Sequence, residues 1–326
     1  MNNTIQLLTI TLLSFLLFSC GSSSSNKNSN SGTNNGEGGG NNPTRPNKSD
    51  IKIAIIGDQS ISDNAHKLLK MIKNEGVELL LINGDFDYKN NPAAWKKMHD
   101  DILGSDFPII AVAGNHDADD SWELWQEYQR ITADWDANPN LSCSGTPGEE
   151  SSCIYKGIKI VSVSPNQFDY EHVKYINKEL DGDNGWKICA WHKNMTKMQT
   201  GNKLDEAGWG VYEACKEQGA LITTAHEHAY ARSYLFSDIE HQVIANNDPK
   251  TANLKRGETI VILSGLGGKS SRPLQRDDNW WAHRENANTG AVAGALICSF
   301  GKASNKADCY FKDITKGVVD AFTLTK

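Results

Sequence analysis

The chain has 326 residues, a formal net charge of −7 and 38% hydrophobic residues, enough apolar content for a large globular core once a polar N-terminal stretch is set aside. The acidic balance and the lack of Lys/Arg runs exclude a nucleic-acid-binding surface of the usual basic kind.

In chain order, the apolar run at 5–18 is shorter than the roughly 20 residues that span a bilayer, so it reads as a signal peptide. The residues before Cys20 resemble a bacterial lipobox, which implies cleavage there and lipid on the new N-terminal cysteine. The n-region carries no Lys or Arg, and a plain signal peptide with an incidental cysteine is the alternative. Several acyl chains on one cysteine hold a protein on a membrane far better than one. Residues 21–49 are almost all Ser, Asn, Gly and Thr, too polar to offset the cost of ordering. They are predicted to be a disordered linker with a reach of roughly 30 Å. The expected organisation is a lipoprotein-type signal peptide over 1–20, a linker over 21–49 and one globular unit over 50–326. The protein is then exported and held on a membrane, at its periplasmic or cell-surface face.

From 51 onward, strands and helices alternate. An apolar strand at 51–56 runs into Gly57-Asp58. A helix at 62–75 follows, with Ser62 as N-cap, Ala65, Leu68, Leu69 and Ile72 on one face, and Gly76 after its end. Residues 79–82 need no polar alternation, so they read as a strand buried on both faces; it stops at Asn83-Gly84-Asp85-Phe86-Asp87-Tyr88. A helix at 92–103 leads to a strand at 108–113 that ends in Gly114-Asn115-His116-Asp117, then to a Trp-rich helix at 121–135. Helices at 169–180 and 205–218 precede strands at 186–191 and 220–224, which end in His192 and in Ala225-His226-Glu227-His228. Such alternation predicts a parallel sheet with helices outside. The last third, with strands at 259–263, 291–300, 307–313 and 318–325 and little helix between, predicts a second sheet with hairpins.

Groups able to ligate a metal therefore stand at the mouths of five predicted strands, the end at which α/β sheets bind ligands. His226 and His228 alternate along a segment expected to be extended, so both imidazoles leave on one side. The order and type of these residues resemble the calcineurin-like metallophosphoesterases and, within them, the purple acid phosphatases. The motifs are Gly57-Asp58-Gln59-Ser60, Gly84-Asp85-Phe86-Asp87-Tyr88, Gly114-Asn115-His116-Asp117, His192, and Ala225-His226-Glu227-His228-Ala229-Tyr230-Ala231-Arg232. They span 51–232, with a looser echo to the C-terminus. Where the wider superfamily has a histidine two residues after the first aspartate, this chain has Ser60, and Tyr88 supplies the ligand that the purple enzymes use.

The resemblance implies an α/β fold: a four-layer αββα sandwich of two mixed sheets flanked by helices, with a dinuclear metal site at the C-terminal strand ends. One ion would take Asp58, Asp85, Tyr88 and His228, and the other Asp85, Asn115, His192 and His226. The first set carries three anions once the phenol ionises, which suits Fe(III); the second suits divalent Zn, Fe or Mn. By the same resemblance, His116 contacts the substrate phosphate and protonates the leaving oxygen, while Asp117 fixes the His116 tautomer. A hydroxide made available by the ions would be the nucleophile.

The implied function is hydrolysis of phosphate monoesters outside the cytoplasm. Residues 193–199 lack the extra histidines of larger family members, so a phosphodiesterase stays open. From another class, so does a non-catalytic surface lipoprotein that binds glycan or protein.

Seven cysteines fit export: with Cys20 set aside, an even number remains, in a compartment where disulfides persist. The pairing does not follow from sequence; Cys143 with Cys153 and Cys298 with Cys309 are economical, which would leave Cys189 and Cys215. Gly265-Leu266-Gly267-Gly268-Lys269-Ser270 suggests a P-loop, but Leu263 stands where its first glycine is required and Pro273 where a helix should begin. Its amides are an option for holding a phosphate near the site. Trp122 and Trp125 are expected in the core. His66, His99, His172 and His241 are expected at the surface, and His283 at a pocket rim or in a packed aromatic loop.

Overall fold

The computed structural model describes residues 50–119, 121–302 and 304–326. The expected signal peptide, Cys20 and linker lie outside these residues. In chain order the first half holds β1 (Ile51–Ile56), α1 (Asp63–Asn74), β2 (Leu79–Asn83), α2 (Pro92–Ile102), β3 (Ile109–Val112), α3 (Asn115–Ala118), α4 (Trp122–Asp136), β4 (Leu141–Thr146), β5 (Glu150–Tyr155), β6 (Ile158–Val163) and α5 (His172–Leu180). The second half holds β7 (Trp186–Ala190), α6 (Trp209–Glu217), β8 (Leu221–Thr224), β9 (Tyr230–Ser233), β10 (Leu235–Asp238), β11 (Val243–Asn246), β12 (Thr251–Asn253), β13 (Val261–Ser264), β14 (Trp281–Glu285), β15 (Gly294–Phe300), β16 (Lys306–Asp313) and β17 (Gly317–Thr325).

Two mixed sheets result. The first runs β12-β17-β16-β15-β1-β2-β3, with β1, β2 and β3 parallel and β15 antiparallel to β1. The second runs β14-β9-β13-β8-β7-β6-β5-β4, with a parallel centre from β6 to β13. Strand periodicity sorts the side chains into layers. On β1, Ile53 and Ile55 enter the core between the sheets, where they meet Ile160, Ile188 and Ile262, while Ala54 and Ile56 face α1, α2 and α4. On the far side, Val161, Cys189 and Ile222 pack under α5 and α6. This is the expected four-layer sandwich. Among the described residues, no helix is long and apolar enough to cross a membrane.

Three disulfides, Cys143–Cys153, Cys189–Cys215 and Cys298–Cys309, are formed. The first and third join directly opposed residues of neighbouring antiparallel strands. The hairpin of β4 and β5 has no counterpart in the predicted elements, because Leu141-Ser142-Cys143-Ser144-Gly145-Thr146 forms a polar edge strand with little apolar pattern. An ion pair also joins the two sheets. Arg232 of β9 donates from Nε to Asp320 Oδ2 at 2.7 Å and from Nη2 to Oδ1 at 2.9 Å; Tyr230 donates its hydroxyl to the same carboxylate at 2.8 Å, and all three side chains are buried.

Two histidines expected at the surface are buried. His172 meets Glu150 at 2.8 Å, and His99 packs among Trp95 and Trp135 with Nδ1 on the Trp95 carbonyl at 2.9 Å. Of the two tryptophans expected in the core, Trp125 is buried and Trp122 is 59% exposed. Gln59 spans from the end of β1 into this aromatic cluster, accepting from Trp95 Nε1 at 2.8 Å and meeting His99 Nε2 at 3.2 Å, so the cluster anchors the residue next to Asp58.

Burial pushes the His99 ring down to about 4, against an ordinary 6.5. The unfolded chain then binds the extra proton between those values, so the contribution is whole above pH 6.5 and is lost as pH falls toward 4. A His99→Gln variant is expected to lose up to about 3 kcal/mol less stability than wild type between pH 7.5 and pH 4, measured by denaturant unfolding at both. An equal loss in both proteins would show that His99 carries none of the pH dependence.

Candidate metal centre

The mouths of β1, β2, β3, β7 and β8 meet at one point. The loops after β1 and β2 run side by side: Asp58, Gln59 and Ser60 donate their amides to the carbonyls of Gly84, Asp85 and Phe86 at 2.9 to 3.0 Å. Asp58, Asp85, Tyr88 and His226 all have φ between 54° and 71°. Non-glycine residues seldom adopt this left-handed region, and such strain collects where function requires it. Gly84 and Gly114 are needed for a different reason. A Cβ on Gly84 would lie 2.7 Å from His192 Nδ1, and one on Gly114 would lie 2.2 Å from Asp85 Oδ1.

Around this point the candidate ligands form two overlapping groups. The Tyr88 hydroxyl lies 2.8 Å from Asp58 Oδ1, 2.8 Å from Asp85 Oδ2 and 3.1 Å from His228 Nε2. The other Asp85 oxygen, Oδ1, is 3.1 Å from His192 Nε2, which in turn is 3.1 Å from His226 Nδ1. Asp85 therefore faces both groups, one oxygen to each. Asn115, at the start of α3, has a buried Oδ1 with no hydrogen-bond partner.

Each imidazole spends one nitrogen outward and turns the other inward. His192 Nδ1 meets the Asn83 carbonyl at 2.7 Å, His228 Nδ1 the Ser270 carbonyl at 2.9 Å, and His226 Nε2 meets Glu206 at 3.0 Å. This outer support is typical of metal-ligating histidine. His226 and His228 do not sit on an extended strand as expected. The backbone makes two successive tight turns, Glu227 amide to Ala225 carbonyl and Ala229 amide to Glu227 carbonyl, and these turns bring both rings to the centre.

Burial is the largest influence on every shifted group of the site. Burial raises Asp58 above the usual carboxylate range, and burial followed by the two neighbouring carboxylates drives the Tyr88 phenol far up. Burial works to raise Asp85 too, but the charge and hydrogen bond of His192 hold it well below the usual range. His192 itself rises to about 9, since Asp85 outweighs the burial that opposes its charge. Burial lowers His226 and His228 to about 4, so both rings are neutral at pH 7 and have a lone pair to offer. Two carboxylates, a phenol and the two neutral imidazoles of His226 and His228 around one point fit metal cations.

Two further expectations meet the geometry differently. Asp117 does not contact the His116 ring; its Oδ2 accepts from the amides of Gly114 and Asp85 at 2.7 and 2.9 Å, and its Oδ1 from that of Phe86 at 2.8 Å. A buried carboxylate that gathers three amides is a backbone clamp, and this one shapes the loop that bears Asp85. His116 is exposed and lies over the Tyr88 ring, with centroids 4.6 Å apart. In the Gly265–Ser270 turn, the amides of Gly267 and Lys269 donate to the main-chain carbonyls of Gly57 and Asp58.

Sequence reasoning missed Glu206, which it placed in a helix from 205; α6 begins only at Trp209, and the preceding stretch turns toward His226. A cavity of about 1100 Å³, lined by Asn166, Phe168, Tyr170 and Ala207 among others, holds none of the candidate ligands.

Comparison with curated proteins finds no match. Among solved structures, the fold is similar to a purple acid phosphatase isolated from yellow lupin seeds, with a TM-score of 0.66 and 16% identity over 86% of this chain and 54% of that one. The present chain thus spans about half the length of the lupin protein. It is also similar to GAP50, described as the anchor in the inner membrane complex of Plasmodium (TM-score 0.58, 14% identity, 85% of this chain and 89% of that one). PhoD follows with a TM-score of 0.54 and 10% identity, over 86% of this chain and 70% of that one. At these identities the likeness is one of fold. Residues 51–230 match the calcineurin-like phosphoesterase family model, and with that match covering more than half of its length the chain belongs to this family.

Proposed function

We propose that the protein is a two-metal hydrolase of phosphate monoesters that works outside the cytoplasm. The observation that carries the reading is Asp85, which turns one carboxylate oxygen to each of two groups of candidate ligands. One ion would be held by Asp58, Asp85, Tyr88 and His228, and the other by Asp85, Asn115, His192 and His226. Iron(III) suits the first group because two carboxylates and an ionised phenol favour a hard trivalent ion; zinc, iron or manganese as divalent ions suit the second. Such ions supply Lewis-acid polarisation of the phosphate and an acidified water.

The chain's own residues set the rest. His116 stands exposed at the mouth of the centre, placed to pass a proton to a leaving oxygen. Asp117 acts as a positioning residue through the backbone amides of Asp85, Phe86 and Gly114. Glu206 holds the His226 ring, and Glu206→Gln is expected to weaken the metal on that side about 10- to 100-fold, measured by chelator competition. An unchanged affinity would remove Glu206 from the site.

Residues 1–20 serve in this reading as a lipoprotein signal with Cys20 as the lipidated residue, 21–49 as a tether to the membrane and 50–326 as the catalytic domain. The three disulfides support export.

The deciding experiment is hydrolysis of an aryl phosphate monoester and the matching diester by metal-loaded protein from acidic to alkaline pH. Faster monoester cleavage is expected. Faster diester cleavage would make the protein a phosphodiesterase, and no cleavage of either ester with metal bound would overturn the reading in favour of a binding role.

A further inference from the structure

Two lysines stand beside the centre without an acidic partner. Lys269 places its ammonium 4.3 Å from the centroid of the Tyr88 ring, on the side of Asp58 and His228. Lys203 donates its ammonium to the main-chain carbonyl of His226, at the other group of candidate ligands. Both side chains are half-buried, and among the described residues neither is ion-paired. The neighbouring cations differ: Arg272 meets Glu227 at 3.3 Å, and Lys193 lies 3.8 Å from Glu206.

Half-buried ammonium groups outside a direct ion pair are costly. Both are nevertheless held in place by their loops. The amide of Lys269 donates to the Asp58 carbonyl at 3.0 Å, which ties the glycine-rich turn to the end of β1. The carbonyl of Lys203 accepts from Thr196 Oγ1 at 2.9 Å and from Gln199 Nε2 at 3.1 Å. The glycine turn therefore brings a side-chain charge to the site.

We infer that Lys203 and Lys269 clamp the substrate phosphate from opposite groups of the centre and that their paired charge selects a phosphate dianion over a singly charged diester. The inference rests on the phosphoesterase reading and names what sets its substrate class. A monoester phosphate carries about 1.5 to 2 negative charges near pH 7, which two ammonium groups match. A diester carries one and leaves one lysine without a partner.

The test uses Lys203→Met, Lys269→Met, the double variant and the two Arg variants, all metal-loaded. Inorganic phosphate is titrated by calorimetry, metal content is measured, and kcat/KM is compared for an aryl monoester, its diester and a carboxylated aryl monoester. Each Met variant is expected to weaken phosphate binding about tenfold or more, and to lower monoester kcat/KM by a similar factor while the diester changes far less. Arg variants should recover most of the phosphate affinity, and metal content should not change.

Equal losses on monoester and diester would overturn the clamp, as would unchanged phosphate affinity. So would a loss confined to the carboxylated substrate, which would assign the lysines to the leaving group, or a loss of metal, which would make them supports of the ligand set. A wild-type protein that binds phosphate through these lysines yet cleaves no ester would leave the clamp standing and remove the hydrolase reading.

Discussion

Replacing Asp85 by Asn is expected to lower kcat/KM for phosphate esters by about 10³-fold or more, a loss of roughly 4 kcal/mol in transition-state stabilisation. The size follows from the position of the residue. Asp85 Oδ2 meets Tyr88 at 2.8 Å and Oδ1 meets His192 at 3.1 Å, so it is the one carboxylate that faces both groups of candidate ligands. An amide keeps the shape and can still accept from the His116 amide, which lies 3.0 Å from Oδ1. It replaces one oxygen with an NH2 group, however, and that group cannot face a cation. Global unfolding should therefore change little while metal content and activity fall together. A variant that kept wild-type kcat/KM would show that Asp85 bridges nothing.

The largest effect on stability is expected far from the metal, at Asp320. The Asp320→Ala change leaves the Arg232 guanidinium buried between the sheets with no anion, and it also takes the acceptor of the Tyr230 hydroxyl. Breaking one half of a buried pair costs about 3 to 5 kcal/mol, which for a domain of this size lowers the melting temperature by about 10 °C. Removing both charges should cost less, because the penalty is the uncompensated charge and not the lost attraction. Thermal unfolding of Asp320→Ala, Arg232→Met and the combined Asp320→Leu/Arg232→Met variant measures this. A double variant as unstable as the sum of the singles would refute the explanation. Arg232 falls at the end of the last sequence motif, yet its contacts make it a joint between β9 and β17.

Much of the candidate site was legible because each group stands where a short apolar run stops. Asp58, Asp85, Asn115, His192 and the His226/His228 pair follow strands whose β-branched, unalternating residues are readable one segment at a time. The sandwich was legible for the same reason. What stayed hidden depends on the path of loops in three dimensions. Glu206, Lys203 and Lys269 reach the centre on segments with no local periodicity, and polar residues in such segments look alike whether they face solvent or a buried histidine. His99 and His172 show the same limit from the inside, since an isolated histidine on a helix does not reveal that tryptophans or a glutamate will enclose it. Asp117 was recognised as belonging to the site, but its three amide partners are set by how the loops after β2 and β3 meet.

Metal stoichiometry, measured by elemental analysis of the protein loaded with iron and zinc beside Asp85→Asn, tests the two-metal centre most directly. Two ions per chain in the wild type and a clear loss in the variant are the predicted result. A wild-type protein that cannot be loaded, or one whose metal content ignores the loss of the Asp85 carboxylate, would contradict a two-metal centre at the strand ends.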